Sequence, residues 1–115
     1  MKCIIAGGRD FEPQSKHWKF LDTINYYNPI TEVVSGACRG ADQFGEKWAE
    51  SLSIPIKKFP ADWDKYGKRA GAIRNQQMAE YADMLITFPG GKGTELMRGL
   101  AKKQKLTIIP YLEFY

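Results

Sequence analysis

The sequence predicts an α/β three-layer sandwich, a five-stranded parallel sheet with helices on both faces. Three observations predict it. Short apolar runs rich in β-branched residues alternate with stretches of helical periodicity in the order βαβαβαβαβ, and that alternation builds a parallel sheet. Three of the strand-like runs stop at glycines, at Gly7-Gly8, at Gly36 with Gly40, and at Gly90-Gly91-x-Gly93. The chain has 115 residues, 43% hydrophobic and 26% charged, which suits one globular domain spanning residues 1–115.

The elements follow in order. Lys2 to Ala6 is the first strand and ends in Gly7-Gly8-Arg9-Asp10-Phe11. Pro13 and Ser15 start a helix carrying Trp18, Leu21, Ile24 and Tyr27 at helical spacing, and Asn28-Pro29 ends it. Ile30 to Val34 is the second strand. After Ser35-Gly36-Ala37-Cys38-Arg39-Gly40, an amphipathic helix sets Ala41, Phe44, Gly45, Trp48, Ala49 and Leu52 on one face, which makes Trp48 a core residue. Ile54 to Phe59 is the third strand, and Pro55 near its start suits an edge. A polar, aromatic connection from Pro60 to Ala70 exceeds the usual two to six residues, a length that tends to mark function. The helix from about Gly71 to Ala82 shows Arg74, Gln77, Met78 and Tyr81 on one side. Met84 to Phe88 is the fourth strand, Thr94 to Gln104 the next helix and Leu106 to Pro110 the fifth strand. The aromatic tail, Tyr111 to Tyr115, suits docking on the body or on a partner.

Composition narrows the function classes. No apolar run approaches the ~20 residues of a membrane span, and the N-terminus enters a strand without the apolar region of a signal peptide. The expectation is a cytoplasmic protein with no membrane partner. Cys3 and Cys38 form no metal-ligand cluster and no Cys-x-x-Cys pair, so no metal is expected. The single histidine, His17, lies in a polar stretch far from Cys38. The net charge of +4 favours acidic ligands.

Phe88-Pro89-Gly90-Gly91-Lys92-Gly93-Thr94 carries the strongest functional signal. It joins an apolar strand to a helix start. Glycines there let the backbone approach an anion, and the helix N-terminus adds partial positive charge. Parallel topology brings every strand's C-terminal end to one edge of the sheet. That edge collects Arg9 and Asp10, Arg39 and Asp42, and Lys92, with Lys68, Arg69 and Arg74 added by the long connection. Arginine forks onto phosphate oxygens. Asp10 and Asp42 read as contacts to ribose hydroxyls, and Asp42 equally as a helix cap. Trp63, Tyr66 and Phe11 read as stacking surfaces for a base or as loop packing.

Five motifs bear a resemblance: Gly7-Gly8-Arg9-Asp10-Phe11; Ser35-Gly36-Ala37-Cys38-Arg39-Gly40-Ala41-Asp42; Phe59-Pro60-Ala61-Asp62-Trp63; Gly67-Lys68-x-Ala70-Gly71-x-x-Arg74-Asn75-x-x-Met78; and Pro89-Gly90-Gly91-Lys92-Gly93-Thr94. In this order, and over nearly the whole chain, they resemble the SLOG superfamily, within it the small stand-alone YspA/YpsA-related branch. The resemblance implies a Rossmann-like fold that binds nucleotides or nucleotide-derived ligands. The ligand-binding set it implies is Gly7, Gly8, Arg9, Asp10, Gly36, Arg39, Gly40, Asp42, Trp63, Arg74, Asn75, Pro89, Gly90, Gly91, Lys92, Gly93 and Thr94.

The chain is also similar to the "lonely guy" phosphoribohydrolases, which cleave the N-glycosidic bond of nucleoside monophosphates. Their signature is Pro-Gly-Gly-x-Gly-Thr-x-x-Glu with an upstream arginine followed by methionine. Pro89 to Thr94 match it, and Arg74 with Met78 fits the upstream element. The catalytic glutamate is replaced by Met97, which can neither move a proton nor stabilise an oxocarbenium ion. Glu95 lies about 200° around the helix from that position.

The leading reading is therefore a sensor or binding module for a nucleotide or a derivative such as an ADP-ribose-like molecule, with bound nucleotide or phosphate in place of a dedicated cofactor. The alternative is an N-glycosidic hydrolase in which Asp10, Asp42 or Asp62 replaces the glutamate. Single-stranded DNA binding, as in the related DNA-processing protein A, ranks third, because no Lys/Arg stripe is evident. Relatives are commonly homodimers, so the resemblance implies a homodimer joined through the helix carrying Arg74 or through the aromatic tail.

Overall fold

The computed structural model describes residues 1–113, so Phe114 and Tyr115 of the aromatic tail lie outside the described residues. Five parallel strands form one sheet in the order β3-β2-β1-β4-β5, with β1 at Lys2–Ala6, β2 at Glu32–Ser35, β3 at Ile56–Lys58, β4 at Met84–Thr87 and β5 at Thr107–Pro110. Ile4 pairs with Val34 on one side and Leu85 on the other. The chain leaves β1 toward β2 and β3, then crosses to β4 and β5. The strand order reverses between β1 and β4.

Alternation along the strands makes the three layers. Cys3, Ile5, Val33, Met84 and Ile86 face one way and meet Leu21 and Ile24 of α1 (Ser15–Tyr27) and Phe44 and Trp48 of α2 (Ala41–Ser51). Ile4, Ala6, Val34 and Leu85 face the other way and meet Met78 of α4 (Ala70–Tyr81) and Met97 and Ala101 of α5 (Lys92–Lys103). A period of two puts neighbouring residues on opposite faces, so a sheet buried on both sides needs a continuous apolar run. Trp48 is fully buried, as expected, and its Nε1 donates to Asp22 Oδ1 at 2.9 Å.

Several elements differ from expectation. β2 begins at Glu32, because the Ile30 amide is taken by Asn25 Oδ1 at 2.8 Å. β3 shrinks to three residues at the sheet edge, with Pro55 contributing its carbonyl to the Val33 amide. The long connection is ordered into a single helical turn, α3 (Trp63–Tyr66), and a 3₁₀ turn over Gly67–Arg69. α5 starts at Lys92, which places Lys92 and Gly93 inside its first turn. Tyr27, at helical spacing with the buried Leu21 and Ile24, and Leu52, expected on the apolar face with Trp48, are both exposed. Thirteen helical residues span about 20 Å against about 16 Å for a five-residue strand, so α1 overruns the sheet. Leu52 is the residue after the last turn of α2. Gln77 is exposed, whereas Met78 on the same helix is buried.

His17 sits in a polar stretch of sequence but in an aromatic part of the core. It is buried among Phe11, Phe88 and Tyr111, with ring centroids 4.8–5.5 Å away. Its Nδ1 accepts from the Gln14 amide at 2.9 Å, closing the first turn of α1. Phe11 stacks on Phe88 at 4.9 Å, so it packs the loop onto the core. Tyr111 of the tail docks on the body, its amide donating to the Thr87 carbonyl at 2.7 Å. Among the described residues no helix is long and apolar enough to cross a membrane.

Candidate ligand cleft

The loops after β1, β2 and β4 meet where the strand order reverses, and a cleft of about 450 Å³ opens between them. That volume lies within the range of small-molecule sites. The loops interlock through backbone. The Gly8 amide donates to the Pro89 carbonyl at 2.9 Å, and the Gly8 carbonyl accepts from the amides of Phe11 and Ala41. Such approach requires glycine at two positions. A Cβ on Gly40, whose φ is +83°, would sit 2.2 Å from the Gly8 carbonyl oxygen. A Cβ on Gly90 would sit 2.2 Å from Thr94 Oγ1 and 2.7 Å from the Gly8 amide nitrogen. Gly40 and Gly90 thus hold the loops together and do not line the cleft.

Gly91 and Gly93 differ. Both line the cleft, and a Cβ on either would meet nothing within 4 Å. Gly91 is the residue before α5, and no side chain caps that helix. Its first-turn amides therefore lack the side-chain acceptor that commonly satisfies them. Free amides and the partial positive charge of a helix N-terminus are the features that suit an anion. Thr94, buried, lines the same space, and Gly7, Gly8 and Gly36 bring backbone to it.

Arg74 enters from α4. Its Nη1 donates to the Gly36 carbonyl at 2.7 Å and its Nε to Asn75 Oδ1 at 2.9 Å. Nη2 makes no hydrogen bond among the described residues. Arg9 and Arg39 line the cleft as well. Arg39 also reaches Asp10 at 3.3 Å, but both side chains are largely exposed, and such pairs are weak.

The three candidate catalytic carboxylates separate here. Asp42 lines the cleft; Asp10 and Asp62 do not. Asp62 caps α3, accepting from the Lys65 amide at 3.1 Å. Asp42 Oδ2 accepts from the Cys38 amide at 3.2 Å. Burial lifts its carboxyl above the ordinary 3.8, against the Cys38 amide and the Arg74 charge, which favour ionisation. Trp63 is 57% exposed and rests near Gly71, outside the cleft lining. Pro89 and Lys92 also lie outside that lining.

Sequence reasoning did not assign Ala6, Cys38 or Met78 to the site, and treated Met97 only as a missing acid. All four line the cleft. The signal was available. Met78 stands four residues after Arg74 and Met97 three after Thr94, spacings that share one helical face. Glu95 is exposed, lies outside the lining and pairs with Arg98, which is half-buried and also donates to Thr87 Oγ1 at 3.2 Å. Among the described residues no group of three or more His, Cys, Asp or Glu could hold a metal ion.

A parallel sheet in this order, with a cleft at its reversal point, defines a Rossmann-like α/β protein. More narrowly, the chain belongs to the YspA, cpYpsA-related SLOG family, whose model matches residues 1–66, from β1 through α3. It is 30% identical to the Gene 61 protein of Mycobacterium phage D29 over 120 residues, covering 98% of this chain and 95% of that protein. No solved structure matches it.

Proposed function

We propose that the cleft binds a nucleotide or nucleotide-derived ligand through its phosphate and that the protein acts as a sensor or binding module. The observation that carries this reading is the uncapped start of α5 at Gly91 and Gly93, open in the same cleft as the Arg74 guanidinium. Phosphate oxygens would take the first-turn amides and Arg74 Nη2. Met78, Met97 and Ala6 form an apolar part of the lining suited to a sugar or base face. SLOG membership is compatible with such a ligand. Isothermal titration with nucleoside monophosphates, nucleoside diphosphate sugars and inorganic phosphate tests it. Arg74→Ala should weaken binding by about 1.5–3 kcal/mol, the worth of a charge-assisted hydrogen bond. A loss under twofold would remove Arg74 from the site.

One observation favours hydrolysis as the second reading: Asp42 is a carboxylate within the cleft lining. A positioned acid or base contributes roughly 10²–10⁴-fold to such a step, and Met97 supplies none. Free base followed by chromatography should show only slow background release, unchanged in Asp42→Asn. Rapid release abolished by Asp42→Asn would make the protein a hydrolase. Met97→Glu then tests whether restoring the glutamate creates turnover.

A further inference from the structure

We infer that Ser35 and Glu46 are positioning residues that aim Arg74 into the cleft by clamping the Gly36–Ala37 peptide. Ser35 ends β2 with its side chain fully buried. A hydroxyl has one proton, and Ser35 gives it to Glu46 Oε2 of α2 at 2.6 Å. Its lone pairs are then left for the Ala37 amide, which donates to Ser35 Oγ at 3.0 Å.

The next peptide unit transmits this contact. The described chain has no cis peptide, so the Ala37 N–H and the Gly36 C=O point in opposite directions across one planar unit. Ser35 holds the N–H end. Arg74 Nη1 holds the C=O end at 2.7 Å. Fixing the first fixes the direction of the second.

The unit needs holding. Ala37 has φ +59°, the left-handed region that a residue with a Cβ adopts at a cost. Rotating the peptide by about half a turn, the difference between turn types I and II, would return Ala37 to negative φ. It would also point an N–H at the Arg74 guanidinium where an acceptor now stands. The Ser35–Glu46 pair opposes that rotation. Glu46 is itself anchored, Oε1 lying 3.6 Å from Lys58 Nζ of β3, with Glu46 15% and Lys58 59% exposed. The acceptor on Ser35 is the essential part; the long contact to the exposed Lys58 is secondary.

The inference rests on the ligand reading only for its effect on affinity, so it is tested first without ligand. Hydrogen exchange by NMR would follow the Ala37 amide and the Arg74 guanidinium N–H groups in the full chain. Ser35→Ala should speed exchange of both by about tenfold or more, the ratio expected for losing one net hydrogen bond. Glu46→Ala should act in the same direction and carries the test if Ser35→Ala does not fold. Glu46→Gln, whose amide oxygen still accepts from Ser35, should restore the wild-type pattern, and Lys58→Ala should leave it unchanged. Faster Ala37 exchange with unchanged Arg74 signals would overturn the coupling, as would unchanged exchange at both sites. Titration of AMP then reads the consequence: an affinity about tenfold lower in Ser35→Ala and Glu46→Ala, recovered in Glu46→Gln, at unchanged global melting. AMP affinity equal to wild type in both alanine variants overturns the positioning role. If the wild-type protein binds no AMP, that ligand choice fails while the exchange data still decide the clamp.

Discussion

Gly40 and Gly90 stand within a few residues of Gly91 or at the facing loop, yet they do opposite work from Gly91 and Gly93. The first pair is glycine because neighbouring backbone or a buried hydroxyl fills the place of a Cβ, 2.2 Å away in both cases. The second pair has nothing within 4 Å of that place. Packing explains the first pair completely. It does not explain the second, whose missing side chains leave an uncapped helix start open in a cleft with three arginines. A motif rich in glycine therefore mixes positions required by the fold with positions where packing would admit a side chain, and only the surroundings separate them.

The largest effect that sharpens this contrast is at Gly40. Gly40→Ala would place a Cβ against the Gly8 carbonyl and force positive φ on a residue with a side chain. The expected loss is about 3 kcal/mol or more. At about 4–8 °C per kcal/mol, thermal unfolding should occur at least ~12 °C lower. A melting temperature near wild type would mean that the loops are not locked through Gly8.

Gly91→Val should do the reverse. Stability should stay within about 0.5 kcal/mol of wild type, since the new side chain displaces no protein atom. Under the proposed function, affinity for AMP should fall by at least about tenfold, some 1.4 kcal/mol, because the branched side chain obstructs the α5 amides. Paired calorimetry and melting curves read both quantities. A stable Gly91→Val with unchanged affinity breaks the contrast and the cradle with it.

The fold was legible because each apolar run was continuous and each helix carried its own period. The strand ends were less so. Whether β2 begins at Ile30 or Glu32 depends on Asn25, a residue in the preceding helix whose reach sequence does not display. The glycine edge was legible from topology alone. What it concealed was the division of labour: Asp62 proved a cap, Asp10 a rim charge, and Phe11 a packing ring. The setting of His17 was hidden for the same reason. Its neighbours in sequence are polar, but its neighbours in space are three aromatic rings brought from residues 11, 88 and 111.

The smallest predicted effects are pH dependences, and they set His17 of the aromatic core against Asp42 of the cleft. Burial lowers the His17 pKa below its ordinary 6.5, with Lys16 adding to the effect. The folded state therefore favours neutral imidazole, whose Nδ1 is also needed by the Gln14 amide. The stability this contributes is complete above 6.5 and is lost as pH falls below that value. Asp42 runs the other way. Its folded pKa is raised, chiefly by burial, so its carboxylate is costly in the folded state. Its contribution is most favourable below 3.8 and is lost as pH rises through the raised value. Melting curves from pH 4 to 8 distinguish them. His17→Phe should flatten the decline on the acidic side. Asp42→Asn should gain on wild type as pH rises, because it retains an oxygen for the Cys38 amide without the charge. A core residue tuned toward stability at neutral pH and a cleft residue tuned against it would extend the contrast between the glycines to the ionisable groups. If Asp42→Asn gained nothing at pH 7, the carboxylate would have to be satisfied by its amides and Arg74, and Asp42 would belong with Gly40 and Gly90 among the residues that hold the loops.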